Sequence, residues 1–292
     1  MRGGAHVILN GELLRREAAR LSVDDHGFLL GDGVFETLRL YDGRPFLVEE
    51  HLARLFASMR AVEIQIPWSR DQLLAQIRLL VEHNGLVTGA GRLRLTVSRG
   101  SGAADSPPTA SPTVLVTADP YTPLEQAVYE QGVEVQNSPH RRYADPWHRV
   151  KSTSQQKHLQ LRREAKAAGV FEVLQWNDAG QLTEGSFTNI FVVDRDNVLC
   201  TPRPREGCLK GITRNAVLTI ANESGLPYRE GNVSRDVVAG ALEMFLTGSL
   251  VEIVPVRRLE GRALGEPCPG QVTRALQSAY RRFVASMGGA GR

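Results

Sequence analysis

Lysine is scarce in this sequence. Of the 35 lysine and arginine residues in the 292-residue chain, only four are lysines: Lys151, Lys157, Lys166 and Lys210. Any chemistry that needs a side-chain amine therefore has four candidates. The arginines are scattered rather than gathered into a basic block, and the net charge is only +3. The charge pattern gives no support for a nucleic-acid partner.

Cysteine is also scarce, and long apolar runs are missing. The three cysteines, Cys200, Cys208 and Cys268, are odd in number and lack the spacing of a zinc site. We therefore expect no disulfide framework and no metal site, and this cysteine usage fits a reducing cytoplasm. No apolar run reaches about 18 residues, so we expect no membrane span, and we expect no signal peptide at the N-terminus.

The remaining composition is that of an ordinary globular protein, with 42% hydrophobic and 23% charged residues. The chain is long enough for two domains. The stretch "ADPYTPLEQ" contains two prolines and is typical of a linker. We therefore predict an N-terminal domain over residues 1–120 and a C-terminal domain over residues 121–292.

The N-terminal part predicts hairpins and two helices. Asn10-Gly11 is a strong hairpin turn, and a second Asp-Gly turn separates strands over 33–40 and 45–48. The stretches "VEEHLARLFASMRAV" and "SRDQLLAQIRLLVEHNG" have a helical period, with Ser69 as the N-cap of the second. The strands "GRLRLTVSRG" and "SPTVLVTADP" follow, and their joiner "SGAADSPPTA" is predicted to be a mobile loop or a lid.

The C-terminal part also contains hairpin strands and separate helices. The predicted strands are "VEVQNSP", "FEVLQW", "QLTE", "NIFVV", "EMFLTGSL" and "VEIVPV". The predicted helices are "STSQQKHLQLRREAKAAG", "ITRNAVLTIANESG", "SRDVVAGA" and "GQVTRALQSAYRRFVASMG". This arrangement predicts the α+β class rather than a βαβ relay.

Lys151 lies in "HRVKSTS", where a strand-like stretch meets the predicted start of a helix. The partial positive charge of a helix N-terminus disfavours a lysine there as a structural choice and would lower its pKa. An amine in that environment is a candidate nucleophile. A solvated surface lysine is the alternative interpretation.

Glu184 stands at the start of an apolar strand in "GQLTEGSFTNIFVV", beside Gly185, Ser186 and Thr188. Such a carboxylate can pair with a protonated ring nitrogen, a partner that pyridoxal phosphate needs to act as an electron sink. The small residues would let a flat aromatic ring pass close to the backbone. A solvated turn acid is the alternative.

Several further residues indicate an anion site. In "GCLKGITRNAV", Ile212 and Thr213 open a helix, where backbone N–H groups lack partners. Arg54 lies off the apolar face of its helix and could clamp a phosphate, and His51 could order that side. Ser249 follows Gly248 in an apolar strand, which suggests close approach of the backbone to a ligand. Helix capping, an exposed arginine and a core histidine are the alternatives.

Together these residues supply an amine, an acid for a ring nitrogen, phosphate donors and a hydroxyl. The motifs that carry them occur in order: "GDGVFETLRLYDGRPFLVEEHLARL", the Lys151 segment, "LTEGSFTNIF", "GCLKGITR" and "LTGSLVEIVPV". In these motifs the chain resembles the class IV, fold-type IV pyridoxal phosphate-dependent aminotransferases. That family includes branched-chain and D-amino-acid aminotransferases, (R)-amine transaminases and 4-amino-4-deoxychorismate lyases.

The resemblance implies a role for each residue. Lys151 would carry pyridoxal phosphate as a Schiff base and move the proton of the substrate Cα, and Glu184 would pair with the pyridinium nitrogen. The phosphate would be held by Arg54, the backbone of Ile212 and Thr213, and Ser249. The resemblance also implies two α+β domains with the cofactor in the cleft between them, the lysine in the C-terminal domain, and a homodimer.

The substrate residues implied by the resemblance are Phe35, Arg94 and Arg99. Arg94 lies where branched-chain enzymes carry Tyr-x-Arg, although the tyrosine is missing, and the loop "SGAADSPP" lacks the Arg-x-His pair of D-amino-acid enzymes. The lyases match "GDGVFET" and "SRGSG", but Ala104 stands where they carry a basic residue for a second carboxylate. We therefore predict a transaminase for a branched-chain or D-amino acid or a primary amine, with a 2-oxo acid as acceptor and a ping-pong mechanism.

Other functions remain open at this point. The second hypothesis is a lyase that converts 4-amino-4-deoxychorismate into 4-aminobenzoate and pyruvate. A third is a binding protein that keeps the fold without using the cofactor. A serine hydrolase has less support, because "EGSFTN" is not a G-x-S-x-G elbow.

Overall fold

The computed structural model describes residues 4–102, 111–143 and 146–289. The chain divides into two compact units: unit 1 is Met1–Pro123 with Val150–Gln155, and unit 2 is Leu124–Arg149 with Gln156–Arg292. Lys151 therefore belongs to unit 1, whereas the sequence prediction assigned it to the C-terminal domain. The domain boundary near residue 120 stays a prediction.

Unit 1 is built on one antiparallel sheet with the strand order β2-β1-β6-β5-β3-β4. Its strands are β1 (His6–Leu9), β2 (Glu12–Arg15), β3 (Gly33–Tyr41), β4 (Arg44–Pro45), β5 (Ala90–Ser98) and β6 (Thr113–Pro120). Its helices are α1 (His26–Leu29), α2 (Val48–Ala61) and α3 (Arg70–His83). The predicted Asn-Gly hairpin is confirmed by the pairing of β1 with β2.

Side-chain alternation along β3 directs one set of residues into the core of unit 1. Val34, Leu38 and Leu40 are fully buried in the same apolar cluster as Leu52 and Leu55 of α2. Burial of each such side chain contributes about 1.5–3 kcal/mol. Glu36 belongs to this same face of β3, so the strand carries one carboxylate toward an otherwise apolar interface.

Unit 2 contains a mixed sheet with the order β11-β10-β9-β12-β13-β7-β8 and β14 beside β13. Its strands are β7 (Val133–Arg142), β8 (Glu172–Asn177), β9 (Asn189–Val193), β10 (Leu199–Pro202), β11 (Tyr228–Gly231), β12 (Glu243–Gly248), β13 (Glu252–Leu259) and β14 (Arg262–Ala263). Its α-helices are α4 (Gln126–Gln131), α5 (Gln156–Ala167), α6 (Ile212–Glu223), α7 (Arg235–Ala239) and α8 (Gln271–Gly289).

The α+β class is confirmed, but unit 2 also contains connections that the sequence did not predict. The parallel pairs β7–β8 and β10–β11 are joined through α5 and α6, so each forms a βαβ connection. The predicted strand "QLTE" does not form a regular strand, although its backbone bonds to Gln175 and Asn177 of β8 around an isolated bridge between Leu182 and Trp176. The strand predicted over 45–48 is shorter, because Leu47 adopts φ 49° and α2 begins at Val48.

Across 4–102, 111–143 and 146–289, no helix combines the length and apolar character needed to cross a membrane. In the same ranges, no three His, Cys, Asp or Glu side chains are grouped so that they could hold a metal ion.

Candidate functional site

Lys151 is held by backbone pairing with the start of β3. The amide of Phe35 donates to the carbonyl of Lys151 at 2.9 Å, and the amide of Thr153 donates to the carbonyl of Gly33 at 2.9 Å. These bonds keep residues 151–153 extended, so the helix begins at Gln156. The prediction that Lys151 directly precedes a helix is therefore wrong, and strand pairing places it instead.

The ring of Phe35 brings the lysine amine together with a guanidinium. Lys151 Nζ lies 4.7 Å from the centroid of this ring, and Arg94 Cζ lies 3.9 Å from it. Arg94 sits diagonally from Phe35 on the neighbouring antiparallel strand, because Phe35 pairs with Thr96 and Arg94 pairs with Thr37. Three predicted site residues thus occupy one place in unit 1.

Arg94 has no carboxylate partner within the described residues. Its Nε donates to Thr96 Oγ1 at 3.2 Å, and it forms no ion pair there. Burial, followed by the charge of Arg92, lowers the pKa of Arg94. A half-buried guanidinium without a counterion is suited to receive a carboxylate from a ligand.

Arg99, in contrast, is engaged by groups of its own unit. Its Nε donates to Asp32 Oδ2 at 2.5 Å, and its Nη2 donates to the carbonyl of Val62 at 2.8 Å. Through these bonds Arg99 links Asp32, the residue before β3, to Val62 at the end of α2. The assignment of Arg99 to substrate binding stays a prediction, and Ala104 of the lyase comparison lies outside the described residues.

Arg54 is bound to a buried acid that the sequence analysis missed. Its Nε donates to Glu36 Oε1 at 2.7 Å, and its Nη2 donates to Glu36 Oε2 at 2.8 Å. His51 Nδ1 lies 2.7 Å from Glu36 Oε2. The Arg54 side chain is only 12% exposed, so the exposed-arginine alternative is wrong. The signal in the sequence was a carboxylate two residues from Val34 and Leu38, on the apolar face of a strand.

Glu184 is buried in unit 2, where protein donors contact both of its carboxylate oxygens. Arg142 Nη2 lies 2.9 Å from Glu184 Oε1. Asn189 Nδ2 and the amide of Leu209 donate to Glu184 Oε2 at 3.2 and 2.8 Å. These contacts fix the direction of the carboxylate, so the solvated-turn alternative is wrong. Arg142 lies in no sequence motif, and Asn189 was assigned no role, although it lies in the motif "LTEGSFTNIF".

The small residues after Glu184 surround a second buried acid, Glu172. Ser186 Oγ donates to Glu172 Oε1 at 2.6 Å, and Thr188 Oγ1 donates to Glu172 Oε2 at 3.0 Å. A Cβ on Gly185 would come within 2.6 Å of Glu172 Oε2. These residues therefore have a structural role, in which Glu172 shapes the loop that carries Glu184, and the idea that they make room for a ring stays a prediction.

The start of α6 is packed against the same region of unit 2. Gly211 is the N-cap of α6, and the glycine offers no side chain to cap the amides of Ile212 and Thr213. A Cβ at Gly211 would lie 1.9 Å from Asn189 Oδ1, so only glycine fits. Because Asn189 also contacts Glu184, these predicted residues are brought together in unit 2. Ser249 directly follows β12 and is half-buried.

The hydroxyl groups of Thr213 and Thr247, both buried in unit 2, have no hydrogen-bond partner within the described residues. The residues are 2% and 1% exposed. Thr247 lies on β12 directly opposite Asn189 on β9, so their side chains share one face of the sheet. A buried hydroxyl without a partner costs about 1–3 kcal/mol. These two oxygens therefore indicate a polar ligand, and Thr247 is a candidate that the sequence analysis missed.

Comparison with known proteins identifies the family that the chain resembles along most of its length. The family model described as amino-transferase class IV matches residues 33–259. A D-alanine aminotransferase of Bacillus licheniformis is 34% identical over 96% of this chain and 97% of its own. A putative branched-chain-amino-acid aminotransferase of Methanocaldococcus jannaschii is also 34% identical, over 97% of both chains.

Two further comparisons concern the fold and the second hypothesis. The crystal structure of an Escherichia coli branched-chain amino acid aminotransferase matches with a TM-score of 0.89 and 31% identity, covering 95% of this chain and 94% of that one. An aminodeoxychorismate lyase of Bacillus subtilis is 30% identical over 96% of this chain and 95% of its own.

Proposed function

Since the chain belongs to the class IV aminotransferases, enzymes that use pyridoxal phosphate, we propose that it moves an amino group from an amino acid or a primary amine to a 2-oxo acid. Branched-chain and D-amino acids are the proposed donors. Two relatives with equal identity, 34%, are named for D-alanine and for branched-chain amino acids, which supports both classes. The transfer follows a ping-pong order, with the donor product leaving before the acceptor binds.

The residues present fit pyridoxal phosphate. The partnerless hydroxyl groups of Thr213 and Thr247 are suited to oxygen atoms of this group. We assign its phosphate to Arg54, the amides of Ile212 and Thr213, and Ser249, and its ring nitrogen to Glu184. When bound, the cofactor supplies an electron sink for the negative charge left at the substrate Cα.

Lys151 is the proposed covalent anchor and proton carrier. Its amine would hold the cofactor, and the same amine would take the proton from the substrate Cα. The backbone pairing with β3 holds the lysine main chain, so the side chain alone moves. Lys157, Lys166 and Lys210 belong to unit 2, and no other lysine is in unit 1.

The observation that carries the proposal is the arrangement around Phe35. The Lys151 amine and the Arg94 guanidinium lie 4.7 and 3.9 Å from the centroid of the same ring. An amine that takes a proton from Cα must lie near the group that holds the substrate carboxylate. Arg94 has no carboxylate partner within the described residues, so we assign it to the carboxylate of an amino acid substrate.

A half-reaction tests this proposal. Holoenzyme is mixed with one donor and no acceptor, using L-leucine, D-alanine and (R)-1-phenylethylamine in separate reactions. We expect one donor to yield one equivalent of its oxo product per chain and then stop, and a 2-oxo acid to restart turnover. If no member of a broad panel of L- and D-amino acids and (R)-amines reacts, the transaminase proposal fails.

The lyase is the second candidate, supported by the 30% identical relative and by "GDGVFET" and "SRGSG". Its reaction releases pyruvate and needs no acceptor. Continuous pyruvate formation from 4-amino-4-deoxychorismate without any 2-oxo acid would favour the lyase over the transaminase.

A homodimer is also part of the proposal. Five large apolar side chains within ten residues of unit 1 are more than half exposed: Leu21, Val23, Phe28, Leu29 and Leu30. An exposed apolar cluster of this kind is typical of a protein interface. We propose that a second copy of the chain covers it. The free cysteines Cys200, Cys208 and Cys268 support the proposed cytoplasmic location.

A further inference from the structure

Glu36 is a fully buried carboxylate in an apolar setting. It lies on the face of β3 that carries Val34 and Leu38, and it is 0% exposed. Both of its oxygens are engaged by α2: Arg54 contributes two donors at 2.7 and 2.8 Å, and His51 Nδ1 lies at 2.7 Å. All of these groups belong to unit 1.

The charges in this cluster are fixed near neutral pH. Burial alone would raise the pKa of Glu36, but Arg54 and then His51 outweigh it and lower this pKa to about 2. For His51, burial acts in the opposite direction and is the main cause that lowers its pKa, although the hydrogen bond to Glu36 raises it. The cluster therefore contains one carboxylate, one guanidinium and one neutral imidazole, whose Nδ1–H donates to Glu36.

Stability alone does not explain this ion pair. A buried pair can often be replaced by apolar residues of similar volume without loss of stability. The surrounding positions on β3 and α2, including Val34, Leu38 and Leu55, are mostly apolar. The pair must serve a purpose that an apolar contact would not meet.

The geometry of the contact between Glu36 and Arg54 indicates what this purpose is. Glu36 binds the Nε and Nη2 edge of Arg54 in a two-point contact, which sets the plane of the guanidinium. The third nitrogen, Nη1, carries two further N–H donors whose directions then follow from that plane. A guanidinium held in this way needs less ordering when it meets an anion.

We infer that Glu36 and His51 are positioning residues that fix Arg54 as the phosphate-binding arm for pyridoxal phosphate. This inference rests on the proposed function, since it assigns Arg54 to the phosphate. Glu36 touches neither substrate nor cofactor in this assignment. It acts through Arg54, and His51 holds Glu36 from the other side.

The test compares pyridoxal phosphate with pyridoxal, which lacks the phosphate. Apoenzyme is titrated with each compound, and the dissociation constants are measured for wild type and Glu36→Gln. We expect Glu36→Gln to weaken pyridoxal phosphate binding by roughly 10- to 100-fold, the worth of a hydrogen bond to a charged group, with pyridoxal binding unchanged. Glu50→Gln, at an exposed acid on α2, the helix that carries Arg54, should leave both constants unchanged.

A double-mutant cycle separates positioning from general damage. If Glu36 acts through Arg54, then Glu36→Gln should cost little further affinity in an Arg54→Lys background. Fully additive losses, an equal loss for pyridoxal and pyridoxal phosphate, or no loss at all would each overturn the inference.

A second variant guards against a fold defect. If Glu36→Gln does not give the circular dichroism spectrum of wild type, Glu36→Asp, which keeps the charge but shortens the reach, is measured in the same way and must show the same phosphate-selective loss. Wild-type apoenzyme that binds neither compound contradicts the proposed function itself, not the role of Glu36.

Discussion

Glu184 is a carboxylate whose direction is set from three sides, by Arg142, Asn189 and the amide of Leu209. A ring nitrogen that approaches Glu184 meets an acceptor that is already oriented. The positive charge of Arg142 also lies close to the carboxylate. The negative charge of Glu184 therefore interacts both with Arg142 and with any positively charged ligand group beside it. The role of Glu184 therefore depends on its negative charge.

Glu184→Gln should keep bound cofactor and lose most transamination. A neutral amide cannot hold a ring nitrogen in its protonated form, and the lost charged contact is worth roughly 10- to 100-fold in turnover. Turnover at saturating cofactor is the measurement. Glu206→Gln changes a carboxylate of the same unit that pairs with Arg203 and Arg205, and it should remain close to wild type. Near-normal turnover in Glu184→Gln would remove the residue from the site.

Thr247→Val should have opposite effects with and without cofactor. In apoenzyme the hydroxyl of Thr247 has no partner within the described residues, so its removal should leave the urea midpoint unchanged or raise it. In holoenzyme the same change should weaken cofactor binding. Chemical unfolding with and without pyridoxal phosphate measures both.

Thr201→Val is the matched control for this experiment. Thr201 is equally buried, but its Oγ1 donates to the carbonyl of Ile190 at 2.8 Å. Its loss should destabilise apoenzyme by about 1 kcal/mol. If Thr247→Val destabilises apoenzyme to the same degree, Thr247 is a structural residue.

The sequence predicts residues of the candidate site best where chemistry and local pattern coincide. Lys151 was singled out because lysine is rare, and Thr213 because a helix start follows glycine. Glu36 and Thr247 were not found, although each is buried in a strand. The roles of Glu36 and Thr247 depend on their neighbours in α2 and β9. These elements are distant in sequence, so no local sequence pattern reveals the roles.

At the scale of secondary structure elements, local signals predicted helices and hairpins well. The Ser69 cap of α3 is confirmed, with a full capping box formed by Gln72. The parallel strands β10 and β11 were missed, because their pairing depends on a crossover through α6 rather than on a turn. The start of α5 was misplaced for a related reason, since residues 151–153 bond to β3 instead of continuing a helix.

The docking of α2 on β3 should depend on pH through Glu36 and His51. The pKa of Glu36 is lowered from 4.5 to about 2, so its stabilising contribution is complete above pH 4.5 and is lost as the pH falls toward 2. The pKa of His51 is lowered from 6.5, so the buried imidazole resists protonation and stability declines as the pH falls below 6.5. Both groups therefore lower the stability of the protein as the pH falls.

Urea midpoints between pH 7 and pH 3 test this dependence. Wild type should lose stability progressively as the pH falls, and Glu36→Gln should show a flatter profile, because it lacks the group that titrates. Glu50→Gln should follow wild type, since Glu50 is exposed. Identical slopes for Glu36→Gln and wild type would show that Glu36 does not contribute.

At the scale of the whole molecule, the exposed segment from Leu21 to Leu30 predicts how the protein assembles. Phe28 is 76% exposed, which is unfavourable for a phenylalanine unless another surface covers it. Phe28→Glu should shift the protein from dimer to monomer in light scattering coupled to size exclusion. Val87→Glu, at a site that is 53% exposed elsewhere in unit 1, should not. A wild-type monomer at micromolar concentration would contradict the proposed assembly.

Residues Val150–Gln155 belong to unit 1, although the chain has already entered unit 2 before them. This limits where the chain can be truncated. One side of β3 is paired with β5, whereas on the other side β4 reaches only Leu40 and Tyr41, and residues 151–153 bond to its first residues. A chain ending at Pro123 would leave that backbone as an open edge, which invites aggregation. During synthesis the ribosome must therefore pass residue 153 before the first residues of β3 can be paired on this side.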